Sequence, residues 1–124
     1  MKLIIFSKTV EHPACQHLMN ALKKMSVRYQ IITDWLALQD GMLKMRTDEA
    51  LIIFLLLDVA DMEILNMIRP QIQDCKIITI LPDDSENSRS IGCAVLPRFQ
   101  ALFSDDMSIV AEVAIRIIGS KKKE

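Results

Sequence analysis

Eight consecutive apolar residues, Ala50-Leu51-Ile52-Ile53-Phe54-Leu55-Leu56-Leu57, closed by Asp58, constrain this chain more than any other feature. No polar residue interrupts the run, so neither of its faces can be given to water. A strand of this kind is covered on both sides, and such strands belong to parallel sheets packed between helices. It is far shorter than the roughly 20 apolar residues that cross a membrane as a helix.

The neighbouring segments have the matching periods. Leu3-Ile4-Ile5-Phe6 reads as a buried first strand, closed by Ser7-Lys8-Thr9. Pro13 suits a first helical turn, and Cys15, Leu18, Leu22 and Met25 recur at three- and four-residue intervals, which predicts an amphipathic helix over 13–25. Val27 to Thr33 alternates apolar residues with Arg28 and Gln30, as an edge strand does, and Asp34 ends it. Trp35 to Met45 forms a second helix despite Gly41, and Val59 to Arg69 a third that Pro70 is expected to stop. Lys76 to Leu81 is a further strand, Pro82 to Ser90 a loop or short solvated helix, and Cys93 to Leu96 a last brief strand ended by Pro97. Ser104-Asp105-Asp106 starts a final helix whose apolar face carries Val110, Ala114 and Ile117, with Gly119 placed as its cap.

Five strands alternating with helices in 124 residues make one α/β domain over 1–119, followed by a basic tail over 120–124. The expected architecture has three layers, a five-stranded parallel sheet with helices on both faces. The order 2-1-3-4-5, flavodoxin-like, puts the run 50–57 inside and the more polar strand 27–33 at an edge. Sites in such sheets lie beyond the C-terminal strand ends, near the switch in strand order. That selects Ser7, Lys8 and Thr9, then Asp34, Asp58, Pro82 with Asp83 and Asp84, and Pro97 with Arg98. Of these, Ser7, Lys8, Asp58, Asp83 and Arg98 are the binding candidates. No catalytic residue, metal ligand or cofactor is assigned.

Fifteen basic residues against sixteen acidic ones leave a net charge of −1, without the bulk attraction that nucleic-acid binders show. Neither a nucleic acid nor a membrane is expected as a partner. The N-terminal apolar stretch is too brief for a secretory signal, and three cysteines, Cys15, Cys75 and Cys93, do not form a disulfide framework. The expectation is a cytoplasmic protein with core cysteines. With three glycines, no phosphate-cradling loop is present. His12, Cys15 and His17 do not make a zinc site, since Cys15 and His17 point about 200° apart on a helix. Eight methionines, Met19, Met62 and Met67 among them, read as core fillers or as adaptable surface contacts.

In element order and length the whole chain resembles the receiver domains of two-component signalling. Met62-Glu63-Ile64-Leu65 and Ile68-Arg69 look like the third helix of a receiver. Gly92-Cys93-Ala94-Val95-Leu96-Pro97-Arg98-Phe99 is similar to the stretch running through the fifth strand to a lysine-proline-phenylalanine turn. Carried over residue by residue, the family's acidic pair falls on Ser7 and Lys8, its switch hydroxyl near Leu81 and its lysine on Leu96. The phospho-acceptor falls on Ile53 in an ungapped reading, or on Asp58 if the loop is shorter. A site of that family needs carboxylates converging on magnesium. The resemblance therefore implies a pseudo-receiver, a non-catalytic module that binds another protein or itself. Lys8 then reads either as a solvated loop lysine or as the positive charge that a metal would supply.

Residues 3–32 also resemble the start of a glutaredoxin, through Leu3 to Thr9, His12-Pro13-Ala14-Cys15 and Tyr29 to Ile32. In that family a thiol at a helix N-terminus has a lowered pKa. Its position is His12 here, and Cys15 matches the resolving cysteine. This alternative implies a thiol-redox protein using Cys15. A third reading is a small-ligand binder at the C-terminal edge of the sheet.

Overall fold

A computed structural model describes residues 2–44, 50–72, 74–83, 85 and 97–122. The chain runs β1 (Lys2–Phe6), α1 (Pro13–Lys24), β2 (Gln30–Ile32), α2 (Trp35–Lys44), β3 (Ala50–Leu55), α3 (Val59–Ile72), β4 (Lys76–Leu81), β5 (Phe99–Leu102) and α4 (Met107–Lys122). All ladders are parallel, and the order is β2-β1-β3-β4-β5. The expected flavodoxin-like topology is therefore the observed one, with the apolar run at its centre.

Every residue of β3 is buried, and the two-residue period of a strand divides its side chains between two cores. Leu51, Ile53 and Leu55 join Leu3, Ile5, Ile78 and Ile80 beneath α1 and α4. Ile52, Phe54 and Leu56 join Ile4, Phe6 and Ile77 beneath α2 and α3. The three layers follow from that alternation.

Four boundaries differ from the sequence reading. The second strand spans only Gln30–Ile32, because Ser26 turns into the left-handed region (φ 59°) and the Val27 amide still bonds to Leu22 O in α1. The third helix passes through Pro70 to Ile72. Proline inside a helix costs about 3 kcal/mol, and the full burial of Ile72 returns roughly 1.5–3 kcal/mol. Gly119 does not cap α4, which continues to Lys122 without a left-handed glycine.

The fourth difference changes the site. The fifth strand of the sheet is Phe99–Leu102, with Ile78 facing Phe99 and Leu81 facing Leu102. The strand read at Cys93–Leu96, and the polar segment at 84 and 86–90, lie outside the described residues. Of the three methionines singled out, Met19 and Met62 are buried and Met67 is exposed.

Candidate functional site

The site forms where β1 and β3 end. Ser7 is fully buried: its amide donates to Ile32 O at 3.1 Å and its hydroxyl to Thr9 O at 2.9 Å, which fixes the turn out of β1. Lys8 follows on that turn, with its side chain 36% exposed. Its ammonium donates to Asp58 Oδ2 and stands 3.6 Å from Asp61 Oδ1.

Asp58 is the N-cap of α3. Its Oδ1 accepts from the Asp61 amide at 2.9 Å, and its backbone oxygen accepts from the Met62 amide at 3.2 Å. Asp61, three residues on, reaches back to accept from the Leu57 amide at 3.0 Å, a variant of the capping box. The Asp61 side chain is 1% exposed, so its bonds carry its desolvation. The Trp35 indole N–H supplies another of them, donating to Asp61 Oδ1 at 3.3 Å from the start of α2. Trp35 packs against Phe6 (4.0 Å between ring centroids) and stacks on Phe54 (5.9 Å, 16°), so one apolar cluster supports both loops.

The charges reinforce one another. The hydrogen bond from Lys8, with help from the Asp61 amide, holds the Asp58 carboxyl below its ordinary 3.8. The bond to Asp58 raises Lys8 above 10.5 against a smaller effect of burial, and the charge of Asp61 acts in the same direction. Receiver chemistry would place magnesium here, and the donor set does not fit it. The two carboxylates close on an ammonium, and Asp61 already accepts from Leu57 and Trp35. Among the described residues, no group of three His, Cys, Asp or Glu side chains could hold a metal ion.

Ile53 lies mid-strand between Ile5 and Ile78 with no exposure, whereas Asp58 is at the rim. β3 ends at Leu55, so of the two acceptor positions Asp58 is the one that lies beyond the strand, at the start of α3. Asp83 stands beyond β4 at the same sheet edge, its carboxylate accepting from the Ser85 amide at 2.9 Å. Leu81 ends β4 and Pro82 follows it, Phe103 follows β5, and Leu96, where the family's lysine was expected, lies outside the described residues. Arg98 is not brought to this site. It precedes β5, and its amide donates to Ile77 O at 2.7 Å, at the edge where the strands begin.

Cys15 is buried at the third position of α1, and burial pushes its thiol up while a hydrogen bond with Ser7 opposes the shift. That is a protonated core thiol, not an attacking thiolate. His12, at the glutaredoxin nucleophile position, caps α1 through Nδ1, which accepts from the Ala14 amide at 3.1 Å.

No family model matches the sequence, and no curated protein matches it. Solved structures do. A response regulator from Thermotoga maritima superposes with a TM-score of 0.69 at 12% identity, over 95% of this chain and 97% of that one. The fold is that of a response-regulator receiver. A response regulator protein from Burkholderia pseudomallei, with a phosphorylated aspartic acid, a calcium ion and citrate, matches at 0.64 and 6% identity, over 88% of this chain and 63% of that one. The sugar isomerase domain of an RpiR transcription factor from Sphaerobacter thermophilus matches at 0.58 and 10% identity, over 97% of this chain and 70% of that one. The receiver fold thus shares its layers with proteins of other function, and function has to be argued from the site. No helix among the described residues is long and apolar enough to cross a membrane.

Proposed function

We propose that this protein is a receiver-like regulatory module that does not transfer phosphoryl groups and acts in the cytoplasm by binding another protein or a second copy of itself. The observation that carries this reading is the Lys8 ammonium between Asp58 and Asp61. Phosphoryl acceptance at a carboxylate needs a divalent cation to neutralise the incoming oxygens and an acceptor oxygen free to attack. Here Asp58 Oδ1 caps α3 and Oδ2 faces Lys8. The pair joins the β1–α1 turn to the start of α3 and holds the rim in one arrangement that a partner can read. Lys8, Asp58 and Asp83 are its binding residues, and the buried Ser7 holds the turn that presents Lys8.

Incubation of the full chain with acetyl phosphate and magnesium tests the reading. No phosphoryl group is expected on Asp58 by mass spectrometry. Stoichiometric labelling there, absent from Asp58→Asn, would overturn it.

A further inference from the structure

The near-zero net charge conceals charges that, among the described residues, are sorted by sheet edge. In a parallel α/β fold, all strand starts and helix ends share one edge, and all strand ends and helix starts share the other. At the first edge, Lys23 and Lys24 close α1 and Arg69 lies in the last turn of α3. Lys2 begins β1, Lys76 begins β4, Arg28 lies between α1 and β2, and Arg98 precedes β5. All are exposed except the half-buried Lys76, and among the described residues none is in an ion pair. Asp74 is the one acidic residue described at that edge.

The opposite edge has the inverse composition. Glu11, Asp34, Asp58, Asp83, Asp105 and Asp106 are exposed there, and Lys8 is its one described lysine or arginine. Helix dipoles explain much of this edge, since Asp34, Asp58 and Asp106 each accept from an amide at the start of a helix. They also explain Lys23, Lys24 and Arg69 at helix ends. They do not explain Lys2, Arg28, Lys76 and Arg98, because strands carry little net dipole.

Among the described residues, a cationic edge without ion-pair partners and an acidic edge whose aspartates are mostly held by backbone amides occur on every copy of the chain. We propose that they meet: the edge where the strands begin docks onto the edge where the strands end of a second copy, head to tail. Leu36 (73% exposed) and Val59 (54%), at the starts of α2 and α3, add apolar contact on the acidic side. Exposed ion pairs are individually weak and salt-screened, so docking depends on many pairs together. The two surfaces differ, so the interface is heterologous and propagates as an open row unless its rotation closes a ring. This deepens the interaction-module reading by naming a second copy as partner. It is tested separately from that reading, because Asp58 labelling and self-association can each fail alone.

Sedimentation velocity on the full chain provides the test, in about 0.01 M and about 1 M salt, where the Debye lengths are about 30 Å and 3 Å. The sedimentation coefficient is expected to rise with concentration in low salt and to stay at the monomer value in high salt. Two charge-reversed variants sharpen the result: Lys2→Glu/Arg28→Glu/Arg98→Glu, and Glu11→Lys/Asp83→Lys/Asp105→Lys. Each, shown folded by thermal melting, is expected to remain monomeric alone, and an equimolar mixture is expected to associate in low salt. A wild-type monomer at every concentration in low salt would overturn the proposal, as would variants that associate like wild type. A wild-type monomer that binds duplex DNA or anionic vesicles through the cationic edge would also overturn it, assigning that edge to a polyanion.

Discussion

Replacing Lys8 with methionine keeps the apolar stem and removes the ammonium from the two carboxylates. At 3.6 Å from Asp61, a unit charge pair is worth about 1 kcal/mol in a water-like dielectric and about 4–5 kcal/mol at an effective value of 20. Lys8 is 36% exposed while Asp61 is 1% exposed, so the pair lies between these limits and towards the screened one. The half-exposed Asp58 adds a few tenths of a kcal/mol at most. The expected loss for Lys8→Met is about 1–2 kcal/mol, or roughly 4–8 °C in Tm for a domain of this size.

Urea denaturation measures the loss, and a cycle with Asp61→Asn separates its source. With the buried charge gone, Lys8→Met should cost less than half as much. The pH dependence follows from the two directions of shift. Asp58 is held below 3.8 when folded, so its contribution is present above 3.8 and fades as pH falls through the lower folded value. Lys8 is raised above 10.5, so its contribution is complete below 10.5 and fades as pH climbs through the higher folded value. The wild-type advantage over Lys8→Met should therefore be flat between about pH 5 and 9 and shrink outside that window. A neutral substitution, or an equal loss in both backgrounds, would refute the reasoning.

Asp61→Ala strips the acceptor from the Trp35 indole and the Leu57 amide and should cost about 2–3 kcal/mol. Trp35 is the one tryptophan in the chain, so the same variant should shift its emission, and an unchanged spectrum would contradict the bond. Cys15 should react with iodoacetamide at neutral pH only as fast as the native state opens, since its thiol is buried and pushed up. Alkylation at the rate of a free thiol would instead revive the thiol-redox reading.

The parts of the fold that were legible in the sequence are those where burial on two faces leaves no polar residue. The run 50–57 announced the centre of the sheet, and the mixed segment 27–33 its edge, of which 30–32 is the strand. β5 was not legible because Phe99-Gln100-Ala101-Leu102 contains an amide that earns its place only in three dimensions, where Gln100 Nε2 donates to Thr79 Oγ1 at 3.1 Å. The more apolar Cys93–Leu96 was the stronger strand signal, and it moved Arg98 to the wrong end of the sheet. At the site, Lys8 and Asp58 were visible as residues following strands. Asp61 was missed because an aspartate in a first helical turn normally complements the dipole in solvent. Its burial depends on Trp35, 26 residues away, although the Asp58-x-x-Asp61 spacing was a capping-box signal that could have marked it.

Trp35 donates to the carboxylate that faces Lys8, so its fluorescence reports on any cation that enters the site. Titrating the full chain with magnesium is therefore the most direct test of whether Lys8 holds the place of a metal. Emission should not change in a saturable way, and Lys8→Ala should gain a weak response, as Asp58 Oδ2 loses its cation and Asp61 Oδ1 keeps only the Trp35 indole. A saturable magnesium response in the wild-type protein, with Lys8 intact, would contradict the claim.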